Sequence, residues 1–296
     1  MSTRVNAIRP NTISLTKDQQ TLFDALTEVF KDAFPDVNIE LIETTKNNGQ
    51  PRSGVSLENA KYNIAPVFWF DMLDEMQKEM PIGNVIMYIA QHYEKMEEYS
   101  KKCPEITHDF AAKELFAHII NFEKNAELVN NSPHKKMGEF AIVTRISAQN
   151  FGSLHVTDEV CELCDMTPAE VLKQAVKNSK EHGYQILDLE EYAGEDNKGE
   201  NKGIVYAVTN DIKNFGAIVP YIFPEVLSEL REKFGGDYYM LPSSIHEWIA
   251  VSSRGQEQGG LRDLLQEINR TMLDSRDFLS DNVYIVDESL KMKMVK

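Results

Sequence analysis

Two hydrophobic periods succeed one another along this chain, but not in the strand–helix–strand order that a parallel sheet requires. Leu22, Phe23, Leu26, Val29, Phe30 and Phe34 recur every three or four positions, which puts them on one face of a helix capped by Thr16 or Ser14 and ended near Pro35. Val37, Ile39 and Leu41 then alternate with polar residues, the period-two mark of a half-buried strand. The turn cluster Lys46–Pro51, centred on Asn48-Gly49, joins that run to Val55 and Leu57 and predicts a hairpin. Asn63-Ile64-Ala65-Pro66 opens a helix carrying Phe68, Met72, Leu73 and Met76, because proline suits the first helical position. A second helix, Ile82 to Lys101, carries Val85, Ile86, Ile89, Tyr93 and Met96. Hairpins followed by helices predict an α+β chain of repeated β-hairpin–helix units with mixed or antiparallel sheets.

The second half repeats this rhythm. Phe110–Phe116 reads as helix or mixed structure, and Ile119–Leu128 fits either period. The loop Asn130-Asn131-Ser132-Pro133 divides the chain into an N-terminal region, 1–131, and a C-terminal region, 132–296. Phe140–Ile146 is an apolar strand, followed by Ser153–Val156 and a helix capped by Thr157 or Asp158. Thr167-Pro168-Ala169-Glu170 has the cap, the proline and the acid of a helix start. Gly183 ends that helix, Tyr184–Leu189 resumes as strand, and Gly194–Gly203 is an exposed loop. Ile204–Thr209 and Ala217–Val219 read as strands around a turn at Asn214-Phe215-Gly216, before a helix from Pro220 to Phe234. The same tripeptide, Asn150-Phe151-Gly152, stands 64 positions earlier (214 − 150) and suggests a repeated unit. Tyr238–Leu241, Ile245–Val251 and Val283–Val286 complete the strands, with an amphipathic helix through Leu261, Leu264, Leu265, Ile268 and Met272 between the last two.

Charge narrows the partners. With 47 acidic against 31 basic residues the formal net charge is −16, the wrong sign for a phosphate-neutralising nucleic-acid binder. The one local basic cluster is the tail Lys291, Lys293 and Lys296. The acids interleave with lysines, as in Glu94, Lys95, Glu97, Glu98, Lys101 and Lys102, so they make a solvated surface rather than a segregated acidic face imitating DNA. The opening MSTRVNAIRP has no apolar core of a signal peptide. The longest apolar runs, Val67–Phe70 and Ala217–Phe223, fall far short of the ~20 residues of a bilayer span. An odd count of three cysteines fits a reducing compartment. The expectation is a cytoplasmic protein with no membrane partner.

Reactive side chains are densest at Pro242-Ser243-Ser244-Ile245-His246-Glu247. Two hydroxyls, an imidazole and a carboxylate would serve a hydrolase if a serine lay within reach of the histidine. On a strand His246 and Glu247 point to opposite faces, and Ser244 and His246 sit roughly 7 Å apart, long for a direct bond. The structural alternative is a turn whose hydroxyls satisfy backbone groups. A helical His-Glu-x-x-His metal motif fails because position 250 is Ala250. Cys161-Glu162-Leu163-Cys164 has half the spacing of a zinc site, and His155 and Cys103 would have to complete it; two buried cysteines on one helical face is the simpler account. No phosphate-binding loop, G-x-G-x-x-G or G-x-S-x-G is present, and no cofactor is expected. Tyr238, Tyr239 and Trp248 read as packing aromatics, and His92 as solvent-facing.

Several blocks together resemble a domain family of unknown function, DUF5688: Asn63-Ile64-Ala65-Pro66; Asn125 with Pro133-His134; Glu139-Phe140-Ala141-Ile142-Val143; Glu170-x-Leu172-x-x-Ala175-x-x-Asn178; Leu241-Pro242-Ser243-Ser244-x-His246-Glu247; Asn269-Arg270-Thr271; and Leu279-Ser280-Asp281-x-Val283-Tyr284. The resemblance spans about residues 35–287, with Pro-Ser-Ser-x-His-Glu its most specific element and Phe68-Trp69-Phe70 a departure towards heavier aromatics. It implies proteins of intestinal Clostridia, often on mobile elements, and transfers no catalytic role. The functional expectation is a non-enzymatic binding or regulatory accessory factor with a protein partner, such as a host or defence protein. The alternative is a hydrolase or small-ligand enzyme on Ser243, Ser244, His246 and Glu247.

Overall fold

The computed structural model describes residues 13–62, 64–149, 152–189, 205–255 and 258–295, and the chain divides into two units between Pro104 and Glu105. The first unit begins with α1 (Lys17–Ala33). Thr16 accepts from the Gln19 backbone while the Gln19 side chain accepts from the Thr16 backbone, a reciprocal cap that satisfies two otherwise orphaned donors. Strands β1 (Asn38–Thr45), β2 (Pro51–Glu58) and β3 (Val67–Trp69) form an antiparallel sheet in that order. Helices α2 (Phe70–Glu79), α3 (Ile82–Glu94) and α4 (Met96–Lys102) follow. Leu22, Leu26, Phe30, Val55, Leu57, Leu73 and Ile89 belong to its core.

Two expectations change here. The helix expected from Pro66 starts at Phe70, because Val67–Trp69 pairs with β2 as a third strand. Gly54 makes that pairing possible: a Cβ there would lie 2.5 Å from the Phe68 carbonyl oxygen. Asn63 of the same expected start lies outside the described residues. The long helix 82–101 breaks at Lys95, whose φ of −85° and ψ of 2° leave the helical range. His92 is half-buried, its ring 4.0 Å from that of Tyr88 and its Nδ1 2.8 Å from the Tyr88 carbonyl.

The second unit holds two antiparallel sheets. One comprises β4 (Leu115–Asn121), β5 (Lys135–Met137), β6 (Phe140–Ser147) and β7 (Ser153–His155). Strand β6 pairs with β4 on one side and with β5 and β7 on the other. Helix α5 (His108–Glu114) leads into β4, and α6 (Ala126–Asn130) connects β4 to β5. The loop at Asn130–Pro133, expected to separate domains, therefore lies inside this sheet. Hydrogen bonding between β4 and β6 ties 115–121 to 140–146 and moves the division to Pro104. Helices α7 (Asp158–Leu163) and α8 (Pro168–Glu181) follow, the latter with the expected capping box between Thr167 and Glu170.

The other sheet runs β13-β12-β10-β11-β9-β8, with β8 (Gln185–Asp188), β9 (Val205–Thr209), β10 (Tyr238–Leu241), β11 (Trp248–Ser252), β12 (Tyr284–Val286) and β13 (Met292–Met294). Its helices are α9 (Val219–Ile222), α10 (Glu225–Phe234) and α11 (Gln258–Thr271). Trp248, Tyr238 and Phe140 are fully buried in the core of this unit, and Tyr239 packs in a smaller cluster under α11. Residues Ala217–Val219 do not form the expected strand: a 3₁₀ turn over Gly216–Ile218 runs into α9. Strand β11 starts at Trp248 instead of Ile245, which leaves 244–247 as a turn. The loop Gly194–Gly203 and the dipeptide Asn150-Phe151 lie outside the described residues. Among the described residues no helix is long and apolar enough to cross a membrane.

Candidate functional site

The segment 242–247 is fastened chiefly through Ser244, Ile245 and His246. Ser244 is buried; its hydroxyl accepts from the His246 backbone N–H at 3.0 Å, and its own N–H donates to the Glu247 carbonyl at 3.3 Å. Ile245 donates to the Asp277 carbonyl at 2.9 Å and accepts from Ala217 N–H at 3.2 Å. The His246 carbonyl accepts from the Thr209 hydroxyl at 2.8 Å. The Phe215 N–H donates to His246 Nδ1 at 3.1 Å, which places the neutral ring's proton on Nε2, 3.4 Å from Asp277 Oδ1. Ser243 is half-buried, and its hydroxyl makes no hydrogen bond among the described residues. Glu247 is half-buried, and burial pushes its carboxyl up while His246 beside it pulls it down. Both imidazole nitrogens are thus engaged by Phe215 and Asp277, and neither bonds a serine.

Phe215 links this turn to a second group of residues. It holds a left-handed φ of 55°, unusual for a bulky residue, and the next position must be glycine. A Cβ on Gly216 would stand 2.2 Å from Thr209 Oγ1 and 2.7 Å from the His246 carbonyl oxygen. The Phe215 ring lies 5.4 Å from His246, 4.8 Å from His118 and 5.4 Å from Phe116, with the Arg145 guanidinium carbon 5.9 Å from its centre.

The antiparallel register explains the gathering. Phe116 opposes Arg145, and Arg145 opposes His155, so the three share one face of the sheet. His118, two residues from Phe116, is on that face too and is a diagonal neighbour of Arg145. The opposite face, with Leu115, Ala117, Ile119, Ile142 and Ile146, belongs to the apolar core. Arg145 donates from Nε to the Ser153 hydroxyl at 2.8 Å and from Nη2 to the Ser153 carbonyl at 2.9 Å. Among the described residues no carboxylate pairs with it. Burial lowers its pKa to about 10. His155 bonds the Ser132 hydroxyl through Nε2 at 2.7 Å and is held down to about 3 by burial and by Arg145. His118 is 3% exposed with neither ring nitrogen hydrogen-bonded. Burial and the Arg145 charge keep it well below the ordinary histidine range, against an upward pull from the Ile119 backbone, which lies near the ring but outside hydrogen-bond geometry.

Cys161 and Cys164 are both buried in the core, on and just after α7, and burial raises both thiols, Cys161 to about 11. Among the described residues no three His, Cys, Asp or Glu side chains converge to hold a metal ion. Within the second unit Cys161, Cys164 and His155 form no such group.

Residues 19–288 match the model of a family of unknown function, DUF5688. The chain belongs to this family. No curated protein and no solved structure matches the chain. The polar residues through which the sequence resembles the DUF5688 family mostly clamp backbone or one another. Asn178 of α8 donates to the carbonyls of Ala112, Lys113 and Leu115. Asn269 donates to the Ser280 carbonyl and to Asp281, and Asn125 to the Asn121 carbonyl. Glu139 accepts from Ser280 at 2.7 Å, Asn282 at 2.9 Å and Tyr284. The cluster of Arg145, His118, His155 and Phe215 was not singled out from the sequence. Its signal is there: His118 interrupts the apolar strand run Leu115–Ile120, and Arg145, next to Thr144, interrupts the run Phe140–Ile146.

Proposed function

We propose that this chain works by binding, as a non-enzymatic accessory factor with a protein partner, and that the Pro-Ser-Ser-x-His-Glu segment shapes the surface without transforming a substrate. The observation that carries the reading is the engagement of His246. A hydrolytic dyad needs an imidazole nitrogen free to take a proton from a serine, whereas Nδ1 accepts from Phe215 and Nε2 points at Asp277. The acidic excess favours a basic or polar protein surface over nucleic acid as the contact.

A thermal scan of His246→Ala tests this. Losing the acceptor strands the Phe215 N–H and costs about 1–2 kcal/mol, a fall in Tm of about 3–6 °C for a unit of this size. His246→Asn, which keeps an acceptor near the Nδ1 position, recovers part of the loss. An unchanged Tm in His246→Ala, together with loss of a measurable ester or peptide hydrolysis, overturns the reading in favour of catalysis.

A further inference from the structure

The structure assigns an oxyanion-binding site to the face of the first sheet of the second unit formed by Arg145, His118 and His155 beneath Phe215, with a phosphate group as the ligand class. A half-buried guanidinium without a carboxylate is poorly compensated, and one end of this one stays open: Nε and Nη2 hold Ser153, while Nη1 makes no hydrogen bond among the described residues. Beside it His118 is 97% buried (100 − 3) and unpartnered at both ring nitrogens. Buried imidazole nitrogens are almost always hydrogen-bonded, so two orphans in one ring point to a missing partner. His155, fixed through Nε2 by Ser132, keeps an Nδ1 that makes no hydrogen bond among the described residues.

Every titratable group in this cluster is a base: Arg145, His118 and His155, with His246 on the far side of Phe215. The Arg145 guanidinium and one ring nitrogen of a neutral His118 donate from one face of neighbouring strands, and His155 adds a donor at Nδ1 once it is protonated, which suits a tetrahedral oxyanion with acceptors in several directions. A dianion also allows the imidazoles to take up protons as it binds, a gain that a monoanionic carboxylate exploits less. Arg145 and His155 are only half-buried and so remain reachable from solvent, while His118 is buried beside them. This site is separate from the proposed partner-binding role and does not depend on it.

The test uses the full chain, with thermal stability and calorimetry measured against inorganic phosphate, acetate and chloride at equal ionic strength and pH 7. Phosphate is expected to raise Tm saturably and acetate to do so weakly or not at all. Arg145→Met is expected to weaken phosphate at least about tenfold, the loss of one charge-assisted pair. Because that variant also releases Ser153, His118→Leu is the second arm. It removes two orphaned nitrogens, keeps the fold, and is expected to weaken phosphate by about fivefold or more. No saturable effect of phosphate, an equal effect of acetate, or unchanged affinity in a folded His118→Leu each overturns the assignment. Failure here leaves the His246 readout, and the non-catalytic reading with it, untouched.

Discussion

Strand β6 has a polar network at each end, and the two are built on opposite rules. Glu139, at its start, receives hydrogen bonds from Ser280, Asn282 and Tyr284, so both carboxylate oxygens are occupied. Tyr284 holds its proton tightly, its pKa raised by burial and by the Glu139 carboxylate. Arg145, near its end, has two bonds to Ser153 and then two histidines and two phenylalanine rings. A chain with 47 acidic residues has no shortage of counter-ions, yet among the described residues none pairs with Arg145. A charged group closed by its own chain does structural work, while one left open among the described residues, with an unpartnered buried histidine beside it, fits the external oxyanion proposed above.

The largest expected effect falls on the closed network. Glu139→Ala leaves three donors facing each other without an acceptor, and each buried orphan costs about 1–3 kcal/mol. The expected loss of stability is about 3 kcal/mol by denaturant unfolding. Because Glu139 joins the start of β6 to the segment 280–284, the loss should also appear as faster amide exchange in β12. A loss below about 1 kcal/mol means that the network is redundant and breaks the contrast with Arg145.

The next effect belongs to the open end and depends on pH. The His155 pKa is about 3 in the folded chain against an ordinary 6.5, so folding favours the neutral ring. Above pH 6.5 both states are neutral and nothing is lost. As pH falls from 6.5 towards 3 the unfolded chain takes the proton first, and the fold loses about 2 kcal/mol by pH 5. Arg145, the charged group on the same face, pushes His155 in the same direction, and His118 is itself lowered. Unfolding free energies at pH 7.5 and pH 5 should therefore differ more in the natural chain than in His155→Gln, which keeps a donor for Ser132. Equal pH slopes in the two proteins would show that His155 is solvated in the fold.

Much of this architecture was legible because it rests on local rules. The Thr16 and Thr167 caps, the β1–β2 hairpin and the buried cysteine pair follow from side chains within a few residues of one another. What escaped was set by distant backbone. Val67–Trp69 became a strand because Gly54 lets β2 come close, and Ala217–Val219 became helical because Ala217 is bonded at both ends, its carbonyl to Trp248 Nε1 and its N–H to Ile245. The Ser243–Glu247 cluster was visible as chemistry, but its partners Phe215, Thr209 and Asp277 are about 30 residues or more away on either side. Arg145 and His118 were hidden for the same reason: register alone makes them neighbours.

The smallest expected effect gives the finest division between the two ends. His118→Leu replaces a ring with two unbonded nitrogens by an aliphatic group among Phe116, Phe215 and Val143. Removing a buried polar group that has no partner removes its desolvation cost, so stability in plain buffer should change by less than about 0.5 kcal/mol or rise. An isolated apolar swap at a satisfied site would instead strand its partner, as Glu139→Ala does. If His118→Leu destabilises the chain by about 2 kcal/mol, the imidazole has a partner within the fold, and the two ends of β6 follow the same rule after all. A neutral or stabilising result leaves His118 as a group whose polar atoms serve no internal bond, which is the property that sets the Arg145 end apart.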